Sequence, residues 1–310
     1  MIISVSRRTD IPTYYSDWFY NRIKDGFVLV RNPMNIHQVG KINLSPEVVD
    51  GIVFWTKNPI PMMDRLDELK KYTYYFQFTL NAYGIDVEPH VPSKSDIIIP
   101  AFQELSKKIG KDKVVWRYDP ILLSEKYTIE YHLKYFETLV SKLADYTEKC
   151  TVSFLDSYKN TERNTIPIGI INPTIEQKFK LMQQLSAIAQ KAGIYIDTCA
   201  EGIDFSKFGI KHAHCVDKER FERLGGYNLT VDKDKNQRTE CGCIASIDIG
   251  AYNTCKNGCL YCYANFSLNT VNKNFEVHDP NSPLLFGSVG EDDTIKVRDV
   301  KSCRNCQISF

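Results

Sequence analysis

Short apolar runs alternating with amphipathic helical stretches constrain this chain more than any other feature, because they leave few architectures open. The runs Ile2–Ser6, Phe27–Arg31, Gly51–Trp55, Tyr74–Leu80, Val114–Trp116, Thr151–Leu155, Ile194–Asp197 and Ile244–Ile249 are rich in Ile, Val, Phe and Tyr and read as strands. Several are apolar on both faces, as parallel strands covered on both sides must be. Between them, Thr128 to Leu143 places Ile129, Leu133, Phe136, Val140 and Leu143 on one side of a helix. Thr174 to Ala192 opens on a capping-box pair, Thr174 and Gln177, and stops at Gly193. Its Ile175, Phe179, Met182, Leu185 and Ile188 form a stripe suited to packing on a sheet. Shorter helices are expected at Pro61–Lys71 and Pro100–Ile109. The alternation predicts an α/β fold: a (β/α) barrel of the TIM-barrel type, complete or partial, in preference to an open doubly wound sheet.

A length of 310 residues suits one such domain. Within it, residues 1–240 carry seven strands and their helices, and residues 241–266 the last strand and a cysteine-bearing loop. Residues 267–310 are expected to form an irregular tail, since Asn, Asp and Gly accumulate there. Hydrophobic residues are 43% and charged residues 25%, the balance of a chain with a sizeable core. A net charge of +1 argues against a strong general grip on nucleic acid or anionic membrane. The start, Met1 to Arg8, turns from apolar to charged too soon for a signal peptide, and no apolar run approaches the roughly 20 residues that span a bilayer. These features predict a cytoplasmic protein, where ten cysteines are metal ligands or free thiols before they are disulfides. Only Cys150 falls in the first half; the other nine lie between Cys199 and Cys306.

Several strands end in chemically capable residues: Ser6-Arg7-Arg8-Thr9-Asp10, Arg31-Asn32-Pro33, Thr56-Lys57-Asn58-Pro59, Arg117-Tyr118-Asp119-Pro120, Asp156-Ser157-Tyr158 and Cys199-Ala200-Glu201. In a barrel these ends surround the active site, and Arg and Lys are commoner here than turns require. Arg117 and Asp119 are therefore candidate site residues. Lys57, Arg7 and Arg8 are candidates for an anionic group of the substrate, for which the planar guanidinium fork is well shaped. The competing reading is a ring of structural ion pairs with Asp10, Asp156 and Glu201.

After the last predicted strand come Cys255-Lys256-Asn257-Gly258-Cys259-Leu260-Tyr261-Cys262-Tyr263-Ala264. Three thiolates spaced this way can bind three corners of one cubane cluster from a single loop. A [4Fe–4S] cluster ordinarily takes four cysteines, so a set of three leaves one iron open. Two plainer readings stand beside it: a zinc site completed by a residue such as His278, and an electron-transfer cluster without radical chemistry.

The triplet resembles the radical S-adenosylmethionine signature, Cys-x-x-x-Cys-x-aromatic-Cys, with Tyr261 in the aromatic position. Gly-Cys-Leu-Tyr-Cys-Tyr-Ala is particularly similar to the branch of spore photoproduct lyase and the proteins known as DNA-repair photolyases. The resemblance implies a [4Fe–4S] cluster whose open iron binds S-adenosylmethionine, with Tyr261 against the adenine. Arg117 or Asp119 would contact the methionine carboxylate or ribose, and flavodoxin or ferredoxin would donate the electron. The product is a 5′-deoxyadenosyl radical that abstracts hydrogen from a substrate the sequence does not identify; photoproduct-lyase-like DNA repair is one version of this reading. The signature normally follows the first barrel strand, whereas here it follows the last. From Ser-Arg-Arg-Thr-Asp-Ile-Pro through Trp-Thr-Lys-Asn-Pro and Trp-Arg-Tyr-Asp-Pro to the triplet, the chain also resembles the uncharacterised family DUF1848. Together these resemblances imply a circularly permuted relative of the radical enzymes.

Cys199, Cys215, Cys241 and Cys243 form a second possible constellation near the barrel mouth, for an auxiliary iron–sulfur cluster or zinc. The plain alternative is a buried strand thiol at Cys199 and a Cys-Gly-Cys loop. Cys303 and Cys306 read as exposed tail thiols, and Cys150 as core.

Overall fold

The computed structural model describes residues 1–156 and 159–305; Ser157, Tyr158 and Cys306 of the sequence reading lie outside the described residues. Eleven strands are formed among the described residues: β1 (Ile2–Val5), β2 (Phe27–Asn32), β3 (Asn35–Asn43), β4 (Gly51–Thr56), β5 (Tyr74–Thr79), β6 (Val114–Ile121), β7 (Lys149–Phe154), β8 (Tyr195–Thr198), β9 (Lys211–His212), β10 (Ile247–Asp248) and β11 (Thr294–Val297). Eight of them make one sheet in the order β10-β1-β4-β5-β6-β7-β8-β9, every neighbouring pair parallel. The fold is therefore a mixed α/β structure around an eight-stranded parallel sheet. Among the described residues no ladder joins the edge strands β9 and β10.

Because strand side chains alternate, the sheet feeds two cores. Ile3, Ile52, Phe54, Phe76, Trp116 and Val152 share one core with the helices, including Ile129–Leu143 and Ile175–Lys191. Both helices start where the sequence placed them: Thr128 caps the first, and Thr174 and Gln177 form the capping box of the second. The alternate residues Ile2, Val53, Tyr75 and Val115 pack instead on the segment from Ala213 to Ile244, with Phe221, Cys215, Cys241 and Cys243. That segment is thus core material for the sheet's other face, which fixes where its cysteines lie.

Several expectations need correction. Phe27–Arg31 is a strand but not part of the large sheet. It forms β2 of a separate three-stranded sheet, ordered β11-β3-β2, in which β2 and β3 are antiparallel. The eighth strand of the main sheet is instead the two-residue β9, whose Lys211 and His212 are exposed and carry no apolar signal. The segment after residue 266, expected to be irregular, contains the helix Leu268–Glu276 and strand β11, which pairs with β3. Pro61–Lys71 is also broken into a short helix, Ile60–Met63, and a 3₁₀ turn, Leu66–Leu69. Cys303 is half-buried, its N–H bonded to Asp50 at 2.6 Å, and so is not an exposed tail thiol. Among the described residues no helix is long and apolar enough to cross a membrane.

Phe54 sits at the centre of the larger core, stacked on Phe76 at 4.7 Å between ring centroids and edge-on to Phe19 at 5.2 Å. Phe54→Ala is expected to lower unfolding stability by about 3–5 kcal/mol, read as a fall in the urea midpoint.

Candidate functional site

A cavity of about 450 Å³ opens at the C-terminal ends of the parallel strands. Its wall takes Ser6–Asp10 after β1, Thr56 and Lys57 at the end of β4, Thr79 of β5 and Arg117 and Asp119 of β6. It continues with Ser153 and Phe154 of β7, Cys199 after β8, Cys215 after β9 and the cysteine loop after β10. This is where ligands enter parallel α/β sheets, because the loops there converge while the strands hold them rigidly. Cys255, Cys259 and Cys262 all line the cavity, and so do Cys199, Cys215, Cys241 and Cys243.

The triplet loop is irregular backbone held from outside. Leu260 N–H bonds to Val87 O at 3.0 Å, His90 N–H to Asn257 O at 3.3 Å and Cys262 N–H to Cys259 O at 3.0 Å. Gly258 has φ +67°, and a Cβ there would stand 2.8 Å from the His90 ring, so only glycine fits between Asn257 and Cys259. The N-terminal segment grips the same loop. Tyr15 donates to Thr254 O at 2.6 Å and Tyr14 to the Asn257 side chain at 2.9 Å. Asp10, 5% exposed, accepts from Thr56 Oγ1 at 2.7 Å, Lys57 N at 2.8 Å and Asn257 Nδ2 at 3.1 Å. Burial pushes all three thiols above the ordinary cysteine value, Cys259 up to about 12. A metal bound there would therefore displace protons.

The donor set fits a cluster. Three cysteines on one loop can meet three iron corners, and each corner takes one thiolate, so the ligands stand farther apart than around one ion. Among the described residues no three His, Cys, Asp or Glu side chains form a ready cage for a single ion. His278, the candidate fourth ligand for zinc, does not line the cavity. Its Nδ1 pairs with Leu285 O at 2.6 Å and its ring packs on Tyr15 at 4.8 Å.

Lys57 is the cation beside the triplet. Its ammonium donates to Glu88 Oε1 and to Tyr261 Oη, both at 2.7 Å. Glu88, 2% exposed, also pairs with Lys94 and accepts the Tyr261 hydroxyl. Burial pushes the Glu88 carboxyl up, but the two lysines outweigh it and hold it at about 2. Asn81 Nδ2 reaches Tyr261 Oη at 3.2 Å, and its Oδ1 accepts from Asp119 N at 2.8 Å. Tyr261 is thus fixed by its hydroxyl, with its ring 6.0 Å from that of Tyr83.

Arg117 and Arg7 turn toward the other cysteines. Arg117 is buried, binds Asp119 through Nε at 3.0 Å and donates from Nη1 to Cys215 Sγ at 2.9 Å. Arg7 and Arg117 lie over the Trp55 ring at 5.4 and 5.2 Å. Arg8 is at the rim over Tyr252 at 5.1 Å. The ion pairs expected with Asp10, Asp156 and Glu201 are made differently: Asp10 accepts hydrogen bonds, Asp156 pairs with Arg238 at 2.7 Å, and Glu201 accepts from Phe154 N at 2.7 Å. Arg31 is spent outside the cavity, on Asp293 at 2.7 Å.

Sequence reasoning missed Glu88 and Asn81, which sit in no motif, and gave Trp55 no role beyond its place in the run Trp-Thr-Lys-Asn-Pro. It also missed Asp248, which joins the ends of β1 and β10 by accepting from Ser4 Oγ at 2.9 Å, Ser6 Oγ at 2.5 Å and Arg7 N at 2.8 Å. A charged residue inside the apolar run Ile247-Asp248-Ile249 was the available signal.

Residues 2–264 match the family DUF1848, described as a domain of unknown function. The chain belongs to the DUF1848 family. No curated protein matches it. Among solved structures, a protein from Bacteroides thetaiotaomicron described as a candidate alpha-L-fucosidase is similar over 57% of this DUF1848 chain and 84% of its own. The identity is 12% and the TM-score 0.24, too low to carry any argument.

Glu88 is the buried anion shared by two half-buried lysines, so Glu88→Gln is expected to destabilise the fold by about 3–5 kcal/mol. The sign with pH follows from its depressed value. The stabilisation is complete above the ordinary 4.5 and is lost as pH falls toward 2, so the variant should show a shallower acid slope over that window in unfolding experiments.

Proposed function

We propose that this chain is a radical S-adenosylmethionine enzyme on a barrel-type sheet, with its cluster loop moved from the first strand to the last. One observation carries the reading: Cys255, Cys259 and Cys262, with Tyr261 in the aromatic position, line the cavity at the C-terminal ends of the strands. The barrel is supported by Ile244 N–H bonding to Val216 O at 3.1 Å, which ties the chain after β9 to the chain before β10. Permutation is supported by β10 lying parallel beside β1, Ile3 opposite Ile247. With first and last strands adjacent, a loop can change chain ends and stay at one mouth.

A [4Fe–4S] cluster on the triplet, with S-adenosylmethionine on its open iron and an electron from flavodoxin or ferredoxin, would supply a 5′-deoxyadenosyl radical for hydrogen abstraction. The chain's own residues hold the parts in register. Asp10 and Asn257 fix the loop against β1 and β4. Lys57 places a positive charge beside Cys259 and holds Tyr261 by its hydroxyl. Burial of Cys259 and Thr254 keeps water from the loop's inner side. The net charge of +1 gives DNA repair no electrostatic support.

Anaerobically reconstituted protein with dithionite is expected to convert S-adenosylmethionine to 5′-deoxyadenosine, measured by chromatography. Alanine at Cys255, Cys259 or Cys262 should reduce the product to background. A fully loaded cluster that leaves S-adenosylmethionine intact would instead identify a redox protein.

A further inference from the structure

The cavity has a second sulfur-rich wall, opposite in origin to the triplet. Cys199 and Cys215 have their Sγ atoms 3.3 Å apart; Cys215 also contacts Cys243, and Cys243 contacts Cys241. These residues follow β8, follow β9 and precede β10, so three separate segments bring their thiols to one place. Their convergence is enforced by packing. A Cβ on Gly242 would lie 2.5 Å from the His214 ring and 3.2 Å from Ala213 O, so the Cys241-Gly242-Cys243 turn is pressed onto the loop that carries Cys215. Val216 N–H donates to Cys243 Sγ at 3.3 Å. Cys215, Cys241 and Cys243 are buried, and Cys199 is half-buried.

Two guanidinium groups face these sulfurs. Arg117 Nη1 already donates to Cys215. Arg7, on the same Trp55 ring, has a buried Nη2 with no hydrogen-bond acceptor. An unpaired buried donor is costly, and thiolate sulfurs held by a metal are acceptors of the right charge. Core packing alone calls for neither arginine beside thiols nor a chain of four thiols in contact. Four sulfur ligands select zinc or an iron–sulfur cluster over other biological metals.

We propose that Cys199, Cys215, Cys241 and Cys243 form a second metal centre, a four-thiolate site on the wall of the same cavity as the triplet. The sulfurs now form a chain of contacts, which closes around one zinc ion or spreads to the separate corners of a cluster. Four protein ligands complete the coordination, whether of one zinc ion or of a [4Fe–4S] cluster. The quartet therefore has no open position for cofactor or substrate, unlike the triplet. It goes beyond the radical reading and does not depend on it.

The experiment is metal analysis of the full chain, purified and reconstituted anaerobically with iron and sulfide, in three forms: wild type, Cys255→Ala/Cys259→Ala/Cys262→Ala, and Cys215→Ser. The triple variant is expected to retain either about four iron or about one zinc per chain. Cys215→Ser should lose that centre and keep about four iron on the triplet. Either retained metal supports the quartet, and which one is found identifies it. A triple variant without metal, beside a wild type holding about four iron, would overturn the quartet and leave the radical reading standing. Metal in the triple variant but no iron on the triplet in Cys215→Ser would do the reverse. A Cys199–Cys215 disulfide, found by mass mapping of the anaerobic wild type, would also overturn the quartet. Should Cys215→Ser fail to fold, the absorption spectrum of the triple variant decides for a cluster, and cobalt substitution of its metal reports a tetrathiolate zinc site.

Discussion

The Asp10 carboxylate is the interaction on which the candidate site depends. It is buried, and it meets the backbone of Lys57, the hydroxyl of Thr56 and the side chain of Asn257. Three loops, after β1, after β4 and after β10, are thereby held to one anion. A buried carboxylate needs several donors to remain stable, and here the donors come from segments far apart in sequence. Asp248 makes the matching link one step away, joining Ser4, Ser6 and Arg7 to β10. The cysteine loop is consequently a rigid part of the sheet's mouth although it has no regular structure of its own.

The charges at that mouth are divided between its two sides. Lys57 and Lys94 share Glu88 beside the triplet, while Arg117 and Arg7 lie over Trp55 beside Cys199, Cys215, Cys241 and Cys243. Low local dielectric makes each pairing strong and each unpaired group costly. Lys57, Arg7 and Arg8, read from the sequence as candidates for one anionic group, thus lie in different surroundings. Arg8 keeps a place at the rim.

Much of this was legible in the sequence, for reasons that can be named. β4 is almost wholly apolar and β5 is buried on both faces, as a strand inside a parallel sheet must be. Apolar spacing announced the helix after Thr128, and the capping pair Thr174 and Gln177 announced the next, because an N-cap is a local event. The triplet and the four other cysteines were visible as residues, and the cavity brings all seven together. What failed was what tertiary context alone decides. β9 is two exposed polar residues and exists only because β8 offers an edge. β2 has the composition of a core strand, yet it pairs with β3, and Leu284 packs against its Leu29. Glu88 and Asn81 acquire their roles from Lys57 and Tyr261, which stand far from them along the chain.

The central claim is that Cys255, Cys259 and Cys262 hold a cluster with one iron left open for S-adenosylmethionine. Mössbauer spectroscopy of the iron-loaded protein tests it most directly, with and without that cofactor. The account predicts that one iron of the triplet's cluster becomes distinct from its three partners when S-adenosylmethionine is added. A spectrum unchanged by the cofactor, with every iron of the cluster equivalent, would contradict it.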